Sequence, residues 1–284
     1  MDVYRLLKLM SDRSSHNKRI AKNTLFLYLR MGLVLMVSLF STRVVLQALD
    51  IEDYGINNVV SGFVTMFAFL NTSMSNAVQR FYNFSLGRKS GYSIKDVYNT
   101  ALQIQGILAV TLLVPLETFG MWYIHTQMVI PIDRFAAAQW VFQFSVLSLV
   151  LLVLQIPYSA AIMAYEKMDY YAYLSIFDVL AKLGIAYVIK YTTFDKLILY
   201  GAFNMLVSLI CFFLYYGYAK CHFQDLKSDF IIRKQLFKPM LFFSGWNGLG
   251  SFAYMIKSQG LNMLLNVFFG PIVNAARGVS NMVM

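Results

Sequence analysis

Residues 23–49 read NTLFLYLRMGLVLMVSLFSTRVVLQAL and contain no acidic side chain and only two basic ones, Arg30 and Arg43. A helix needs about 20 apolar residues to cross a bilayer, and this run exceeds that length. The stretch therefore predicts a first transmembrane helix at 23–48. Similar segments follow along the whole chain and predict further spans at 55–86, 97–122, 135–164, 170–190, 197–219 and 239–268, with an eighth beginning at Pro271.

The composition supports an all-α integral membrane protein. The chain of 284 residues is 58% hydrophobic and only 13% charged, whereas soluble domains carry about a quarter charged residues. This excludes a disordered chain, a nucleic-acid partner and most soluble enzymes. Two cysteines and three isolated histidines offer neither a disulfide framework nor metal-ligand spacing. The sequence has no phosphate-binding Gly-Lys-Ser/Thr loop, nucleophile elbow or catalytic carboxylate pair, so it predicts no enzyme activity and no cofactor.

The distribution of positive charge predicts the orientation of the chain. Of the 24 Lys and Arg residues, 16 lie in the N-terminal tail and the connections on the same side, 3 lie in the alternate connections and five lie inside predicted spans. Because cytoplasmic loops carry the excess of Lys and Arg, the N-terminus is expected in the cytoplasm. The first 22 residues are polar, and the following apolar run is too long for a cleavable signal peptide. A multi-pass protein of a cytoplasmic membrane is the resulting prediction.

Four regions are expected along the chain. Residues 1–21 form a basic cytoplasmic tail, 22–221 a six-helix transmembrane lobe, 222–238 a cytoplasmic connector, and 239–284 the start of a second lobe. The connector fits either an interfacial amphipathic helix or a plain linker. A shift of 217 residues aligns 41–67 with 258–284, and it brings the turn at 53–55 onto 270–272. Parallel repeats are a known transporter plan, although two apolar stretches can also resemble each other by chance.

Several motifs together resemble bacterial polysaccharide flippases of the multidrug/oligosaccharidyl-lipid/polysaccharide exporter superfamily. STRVVLQAL at 41–49 and EDYGI at 52–56 resemble the first outer turn of that family, and Gln79, Arg80 and Phe81 resemble its cytoplasmic end of span two. FSGWN at 243–247, FFGP at 268–271 and NAARG at 274–278 resemble the start of its second lobe.

The resemblance implies a two-lobed, MATE-like fold of twelve or more helices in a bacterial inner membrane. The expected chain is then one complete six-helix lobe plus the first one to two helices of the second. These 284 residues expressed alone are expected to insert into the membrane without restoring surface polysaccharide to a flippase-null strain. The implied activity is flipping of an undecaprenyl-diphosphate-linked oligosaccharide from the inner to the outer leaflet for surface polysaccharide or lipopolysaccharide biosynthesis. The implied partners are this lipid-linked oligosaccharide, membrane lipids and a coupling ion, H⁺ or Na⁺.

Charged residues inside the spans are the candidate substrate-binding groups, because an ionisable side chain in a membrane usually faces a cavity or a partner. Arg30, Arg43, Lys257 and Arg277 are predicted to bind the diphosphate, since all four are positively charged and the arginine guanidinium also binds phosphate oxygens bidentately. Arg30 and Arg43 alternatively reach back to the membrane surfaces, and their 13-residue spacing separates them by about 140° around a helix. Asp178 and Lys182 are expected to neutralise each other at i, i+4.

Two other functions remain open at this point. A cation-coupled drug exporter of the same superfamily would use carboxylates inside its spans, whereas spans one, seven and eight contain none. A scaffold subunit of a polysaccharide assembly complex needs no transport path at all.

Four tyrosines near the end of span four and the start of span five are expected to form an interfacial belt, namely Tyr165, Tyr170, Tyr171 and Tyr173.

Overall fold

The computed structural model describes residues 2–87, 91–126, 130–226 and 235–254, and the described residues contain helices and no strand. This confirms the predicted all-α class. The helices are α1 (Asp2–Thr65), α2 (Ala68–Leu86), α3 (Ile94–Pro115), α4 (Met121–Thr126), α5 (Phe135–Ala164), α6 (Met168–Lys190), α7 (Lys196–His222) and α8 (235–254). A π-helical turn, Leu116–Gly120, joins α3 to α4, and a 3₁₀ turn, Ile132–Arg134, precedes α5.

Five helical stretches within the described residues are long and apolar enough to cross a membrane, in agreement with a multi-pass membrane protein. They are Asn23–Asp50, Ile94–Thr126, Ile132–Ala164, Met168–Lys190 and Lys196–His222. The predicted second span is helical as well, but it is interrupted at 66–67 and α2 is too polar to be counted among the five. Of the predicted seventh span, 239–268, the structure describes residues 239–254, which are helical and belong to α8, and the predicted eighth span lies outside the described residues.

Helix α1 consists of two arms that meet at a kink at Asp50 (φ 64°, ψ 167°). This conformation is essentially restricted to glycine and stores strain in any other residue. The first outer turn was expected at 53–55, but these residues are helical, so that expectation is wrong by about one helical turn. Asp53 lies on the second arm of α1, where its side chain is buried and contacts Arg134.

The contacts between helices define an up-and-down bundle around α5. Val60 on the second arm of α1 shares a cluster with Leu112 and Val141, and Tyr82 on α2 shares another with Tyr98 and Ile162. The second arm and α2 therefore run parallel to α5 and antiparallel to α3. The ends of α2, α5 and α7 lie together and are called the inner end, after the predicted orientation. The opposite end is called the outer end.

Helices α5 and α7 approach each other closely at a glycine near the outer end of the bundle. A Cβ atom on Gly201 of α7 would lie 3.2 Å from the Phe144 ring and 3.3 Å from Val141 of α5. Both distances are shorter than ordinary van der Waals contacts, so a larger residue would push α7 away from α5. Gly201 thereby fixes how closely the two helices approach on one wall of the cavity described below.

An ion-pair cluster ties three elements together at the outer end. Arg134 Nε lies 3.2 Å from Asp53 Oδ1, and Arg134 Nη1 donates a 2.9 Å hydrogen bond to Asp195 Oδ2. Asp195 also caps α7, because its Oδ1 accepts hydrogen bonds from the backbone N–H groups of Leu197 and Ile198. The cluster joins the kink of α1 to the first turns of α5 and α7.

The described parts of the connector pack against the inner end of the bundle. Phe223 and Leu226 are buried, and the Lys220 Nζ donates a 3.0 Å hydrogen bond to the carbonyl of Leu226. Leu236 and Met240 at the start of α8 belong to the same core cluster. Residues 227–234 are outside the described part of the chain, so the alternatives of amphipathic helix and plain linker both stay predictions.

Candidate functional site

A stripe of polar side chains runs along one side of α2. Thr72, Asn76, Arg80 and Asn83 are exposed, and Gln79 is half-buried beside them. At 3.6 residues per turn these five positions fall within an arc of about 100°, and Thr72 and Asn83 lie about 16 Å apart along the helix axis. The opposite side of α2 is apolar and buries Ala77, Val78 and Tyr82 against α3 and α5. We call the five polar residues the α2 polar face.

The inner half of this face lines an open cavity of about 570 Å³, formed by Asn76, Gln79, Arg80, Asn83, Phe84 and Gly87. Within the described residues, the side chains of Asn76, Gln79 and Asn83 form no hydrogen bond. Amide groups facing hydrocarbon without partners would be costly, because lipid cannot replace the hydrogen bonds of water. The α2 polar face therefore fits a surface that borders water or a polar ligand, and it does not fit a lipid-facing surface.

Arg80 is held at this cavity by aromatic rings. Its guanidinium carbon lies 4.2 Å from the centroid of the Phe243 ring on α8 and 5.4 Å from that of Phe84. Phe81 packs edge-on against the same Phe243 ring at 6.4 Å. Such cation–π contacts orient the guanidinium plane without using its N–H groups. Arg80 forms no ion pair with an acidic residue in the described part of the chain.

Further contacts hold α8 beside α2. The Ser73 hydroxyl donates a 2.7 Å hydrogen bond to the carbonyl of Ser244, and both residues are buried. The rings of Phe69 and Phe252 lie 5.3 Å apart further towards the outer end. Polar and aromatic contacts thus follow α2 along most of its length, and they place Phe243 next to Arg80.

A second cavity, of about 630 Å³, lies inside the bundle between both arms of α1 and helices α5, α6 and α7. We call it the intralobe cavity. Its polar lining combines charged groups with hydroxyl and amide groups: Arg30, Asn57, Ser61, Ser145, Ser148, Gln155, Ser175, Asp178, Lys182, Tyr200, Asn204 and Ser208. Most of these serines donate to a carbonyl one turn earlier, as Ser148 does to Phe144 at 2.8 Å, so their oxygen lone pairs remain for other partners. The cavity is polar and roomy enough to hold water.

Three charged side chains enter the intralobe cavity. Lys182 Nζ donates a 2.8 Å hydrogen bond to Asp178 Oδ2, which confirms the predicted i, i+4 pair. Arg30 lies with its guanidinium carbon 4.7 Å from the centroid of the Tyr171 ring, and its Nε is buried without a hydrogen-bond partner in the described residues. Because Asp178 neutralises Lys182, Arg30 leaves the cavity with one net positive charge.

The predicted site residues are therefore distributed over several places. Arg30 lines the intralobe cavity, whereas Arg43 is exposed on the outer half of the same arm. Gln79 and Arg80 line the open cavity beside α2, and Phe81 packs behind it. Lys257 and Arg277 lie outside the described residues, so their assignment to the diphosphate stays a prediction.

All four tyrosines assigned to an interfacial belt have specific packing partners, and Tyr173 packs edge-on against Phe26 at 6.1 Å. Tyr165 stacks on Phe223 at 4.2 Å and Tyr170 stacks on Tyr218 at 3.6 Å, while Tyr171 lies beneath Arg30. Tyr173 has 59% of its surface exposed, as expected of a residue in such a belt. These rings lock the turn between α5 and α6 against the end of α7.

Two parts of the site were missed by sequence reasoning that concentrated on charged residues. The α2 polar face could have been predicted from the sequence, because Thr72, Asn76 and Asn83 recur at i, i+4 and i+11 within a segment predicted to span the membrane. The hydroxyl and amide lining of the intralobe cavity comes from four separate helices, and only tertiary packing brings those residues together.

The described residues contain no group of three or more His, Cys, Asp or Glu side chains that could hold a metal ion. Comparison of the chain with protein-family models, with curated proteins and with solved structures gave no match.

Proposed function

We propose that this protein is a membrane transporter that flips an undecaprenyl-diphosphate-linked oligosaccharide from the inner to the outer leaflet of a bacterial cytoplasmic membrane. The observation that carries the proposal is the α2 polar face. It combines a guanidinium that has no acidic partner among the described residues with unpartnered amide groups, on a helix packed into an apolar bundle.

This combination suits the proposed substrate in two ways. A guanidinium binds phosphate oxygens through paired, charge-assisted hydrogen bonds. Amide side chains both donate and accept hydrogen bonds, as sugar hydroxyl groups require. Arg30 in the intralobe cavity adds a second positive charge within the bundle, and the motifs around Gln79–Phe81 add the family resemblance.

The proposal includes a two-lobed, MATE-like architecture in which helices α1 to α7 form one lobe and α8 begins the other. The contacts between Arg80 and Phe243 and between Ser73 and Ser244 support a boundary between the lobes along α2. Lys257 and Arg277 would then contribute further positive charge from the second lobe, as the sequence predicts.

A cation-coupled drug exporter fits less well. Such an exporter needs carboxylates inside its spans that are available to a cation or a proton. Among the described spans, Asp178 is paired with Lys182, and Glu117 accepts a 2.9 Å hydrogen bond from Gln143. Both carboxylates are engaged, whereas the guanidinium of Arg80 is not engaged by an acid in the described residues.

Deletion of the gene in its native host separates the candidate functions. A flippase predicts that surface polysaccharide is lost while undecaprenyl-diphosphate-linked oligosaccharide accumulates. A drug exporter predicts normal polysaccharide and greater sensitivity to cationic dyes. A scaffold predicts that polysaccharide and the lipid-linked intermediate fall together. Either of the last two results would contradict the proposal.

A further inference from the structure

We infer that the cavity at the inner half of the α2 polar face is a loading site for a phosphorylated sugar headgroup, in which Arg80 binds the phosphate and Asn76, Gln79 and Asn83 bind sugar hydroxyl groups. The inference rests on the proposed function for the identity of the lipid that carries this headgroup. It adds the location of the first binding step and a separate role for each type of side chain.

The position of the cavity is the first argument. Asn83, Phe84 and Gly87 lie at the last turn of α2, where the helix reaches the inner end of the bundle. The cavity is open, so a headgroup at the membrane surface enters it without crossing the apolar core. Its volume of about 570 Å³ falls within the usual range for small-molecule sites, about 300–1,000 Å³.

The orientation of Arg80 is the second argument. Phe243 and Phe84 contact the guanidinium through their rings, at 4.2 and 5.4 Å from the ring centroids. A guanidinium held in this way is planar and preorganised, and its edge remains available for the two parallel hydrogen bonds that a phosphate accepts. A lysine at the same place would keep the charge but would lose both the stacking and the paired geometry.

The chemistry of the amide groups is the third argument. Asn76, Gln79 and Asn83 line the same cavity as Arg80 and form no side-chain hydrogen bond within the described residues. A bare phosphate or pyrophosphate would need donors only. Three carboxamides also supply acceptors, which suit hydroxyl groups next to the phosphate. A sugar attached to a phosphate satisfies both kinds of group.

Photo-crosslinking in cells tests the site directly. Benzoylphenylalanine replaces Phe84, which lines the cavity, or Phe213 of α7, a matched phenylalanine with 58% of its surface exposed. After irradiation, the protein with benzoylphenylalanine at position 84 is expected to carry an adduct that contains a glycan. The protein with the same residue at position 213 is expected to carry none. Adding Arg80→Gln is expected to reduce the position-84 adduct at least fivefold. No adduct at position 84, or equal adducts at both positions, would overturn the inference.

Binding to the purified chain in lipid nanodiscs tests the division of roles. The probe is a ten-carbon prenyl diphosphate disaccharide. Arg80→Gln and Arg80→Lys are each expected to raise its Kd at least tenfold and to abolish competition by inorganic pyrophosphate. With Asn83→Ala, the free disaccharide is expected to compete less well with the probe, whereas competition by pyrophosphate is expected to remain unchanged. Lys167→Gln, which removes an exposed positive charge from the turn between α5 and α6, is the control.

The two proposals fail in different ways. If the probe binds in an Arg80-dependent way but the deletion strain makes normal polysaccharide, the loading site is supported and the flippase function is rejected. If the deletion strain lacks polysaccharide and the Arg80→Gln gene fully restores it, the flippase function is supported and the loading site is rejected. Unchanged probe affinity in Arg80→Gln protein of normal membrane level would also reject the site.

Discussion

The guanidinium of Arg80 on α2 lies 4.2 Å from the centroid of the Phe243 ring on α8, so a cation–π contact joins the two helices beside the α2 polar face. The ring of Phe81 packs edge-on against the same Phe243 ring at 6.4 Å. The ring is therefore placed to fix the orientation of Arg80, the one charged group among the described residues that line this open cavity.

Phe243→Leu is expected to reduce polysaccharide export in the native host while the protein level stays normal. Leucine keeps the apolar packing but removes the cation–π contact, which is worth roughly 0.5–2 kcal/mol. This corresponds to an equilibrium constant for the preorganised orientation of Arg80 that is lower by a factor of about two to thirty. Phe243→Tyr should retain export. Phe242→Leu is the control, because Phe242 is exposed and contacts Trp246. Equal effects at positions 242 and 243 would contradict the role of the ring.

Asp50→Gly is expected to stabilise the protein by about 1 kcal/mol or more, because the backbone at this kink has φ 64° and ψ 167°. Asp50→Val should destabilise it, since a β-branched residue tolerates positive φ least. Thermal unfolding of the purified chain in one detergent measures both changes. A lower Tm for Asp50→Gly than for the wild-type protein would show that the kink of α1 does not depend on a strained Asp50.

The pH dependence of stability is expected to report on Asp53. Burial raises the pKa of this carboxyl above its ordinary value of 3.8, although the nearby Arg134 acts in the opposite direction. The folded protein then holds this proton more tightly than the unfolded chain, so ionisation of Asp53 lowers stability as pH rises from 3.8 through the raised pKa. Asp53→Asn removes this contribution, and Arg134 keeps its partner Asp195.

The difference in Tm, Asp53→Asn minus wild type, is therefore expected to increase as the pH rises from about 4 to 7, over the range in which only the wild-type carboxyl ionises. Asp133→Asn removes an exposed negative charge next to Arg134 in the sequence and serves as the control. A difference that decreases with pH would mean that the ion pair with Arg134 outweighs the effect of burial.

Orientation in the membrane is testable with single cysteines in a background without Cys211 and Cys221. Ile132, at the outer end, has 96% of its surface exposed, whereas Asp53 is buried and therefore unsuited to labelling. A membrane-impermeant maleimide applied to intact cells is expected to modify a cysteine at position 132 and not one at Lys167, an exposed residue at the inner end. The reverse pattern would contradict the orientation predicted from the positive charges.

The sequence predicted the features that depend on local composition. The long apolar run around Met31, the helical class and the pairing of Asp178 with Lys182 follow from periodicity and from i, i+4 spacing. The position of the first outer turn was predicted one helical turn too late. No glycine or proline marks Asp50, and the buried contact of Asp53 with Arg134 depends on a residue about 80 positions further along the chain.

The candidate site could be predicted only in part, for a similar reason. Arg80 stood out as a charge near the end of a span, and its neighbours Gln79 and Phe81 stood out by resemblance. The contact with Phe243 and the shared lining of Arg30, Asn204 and Ser208 depend on how helices far apart in the sequence pack together. Periodicity within one helix contains no information about which helix will lie beside it.

The central claim is that this protein moves a lipid-linked oligosaccharide between leaflets through a path that includes Arg80. The most direct measurement is the fraction of undecaprenyl-diphosphate-linked glycan that an impermeant sugar-reactive probe labels on spheroplasts of the native host. The wild-type gene is expected to give a large labelled fraction, and the deletion strain and a strain with Arg80→Gln at normal protein level a small one. An equal labelled fraction in the wild-type and deletion strains would contradict the account.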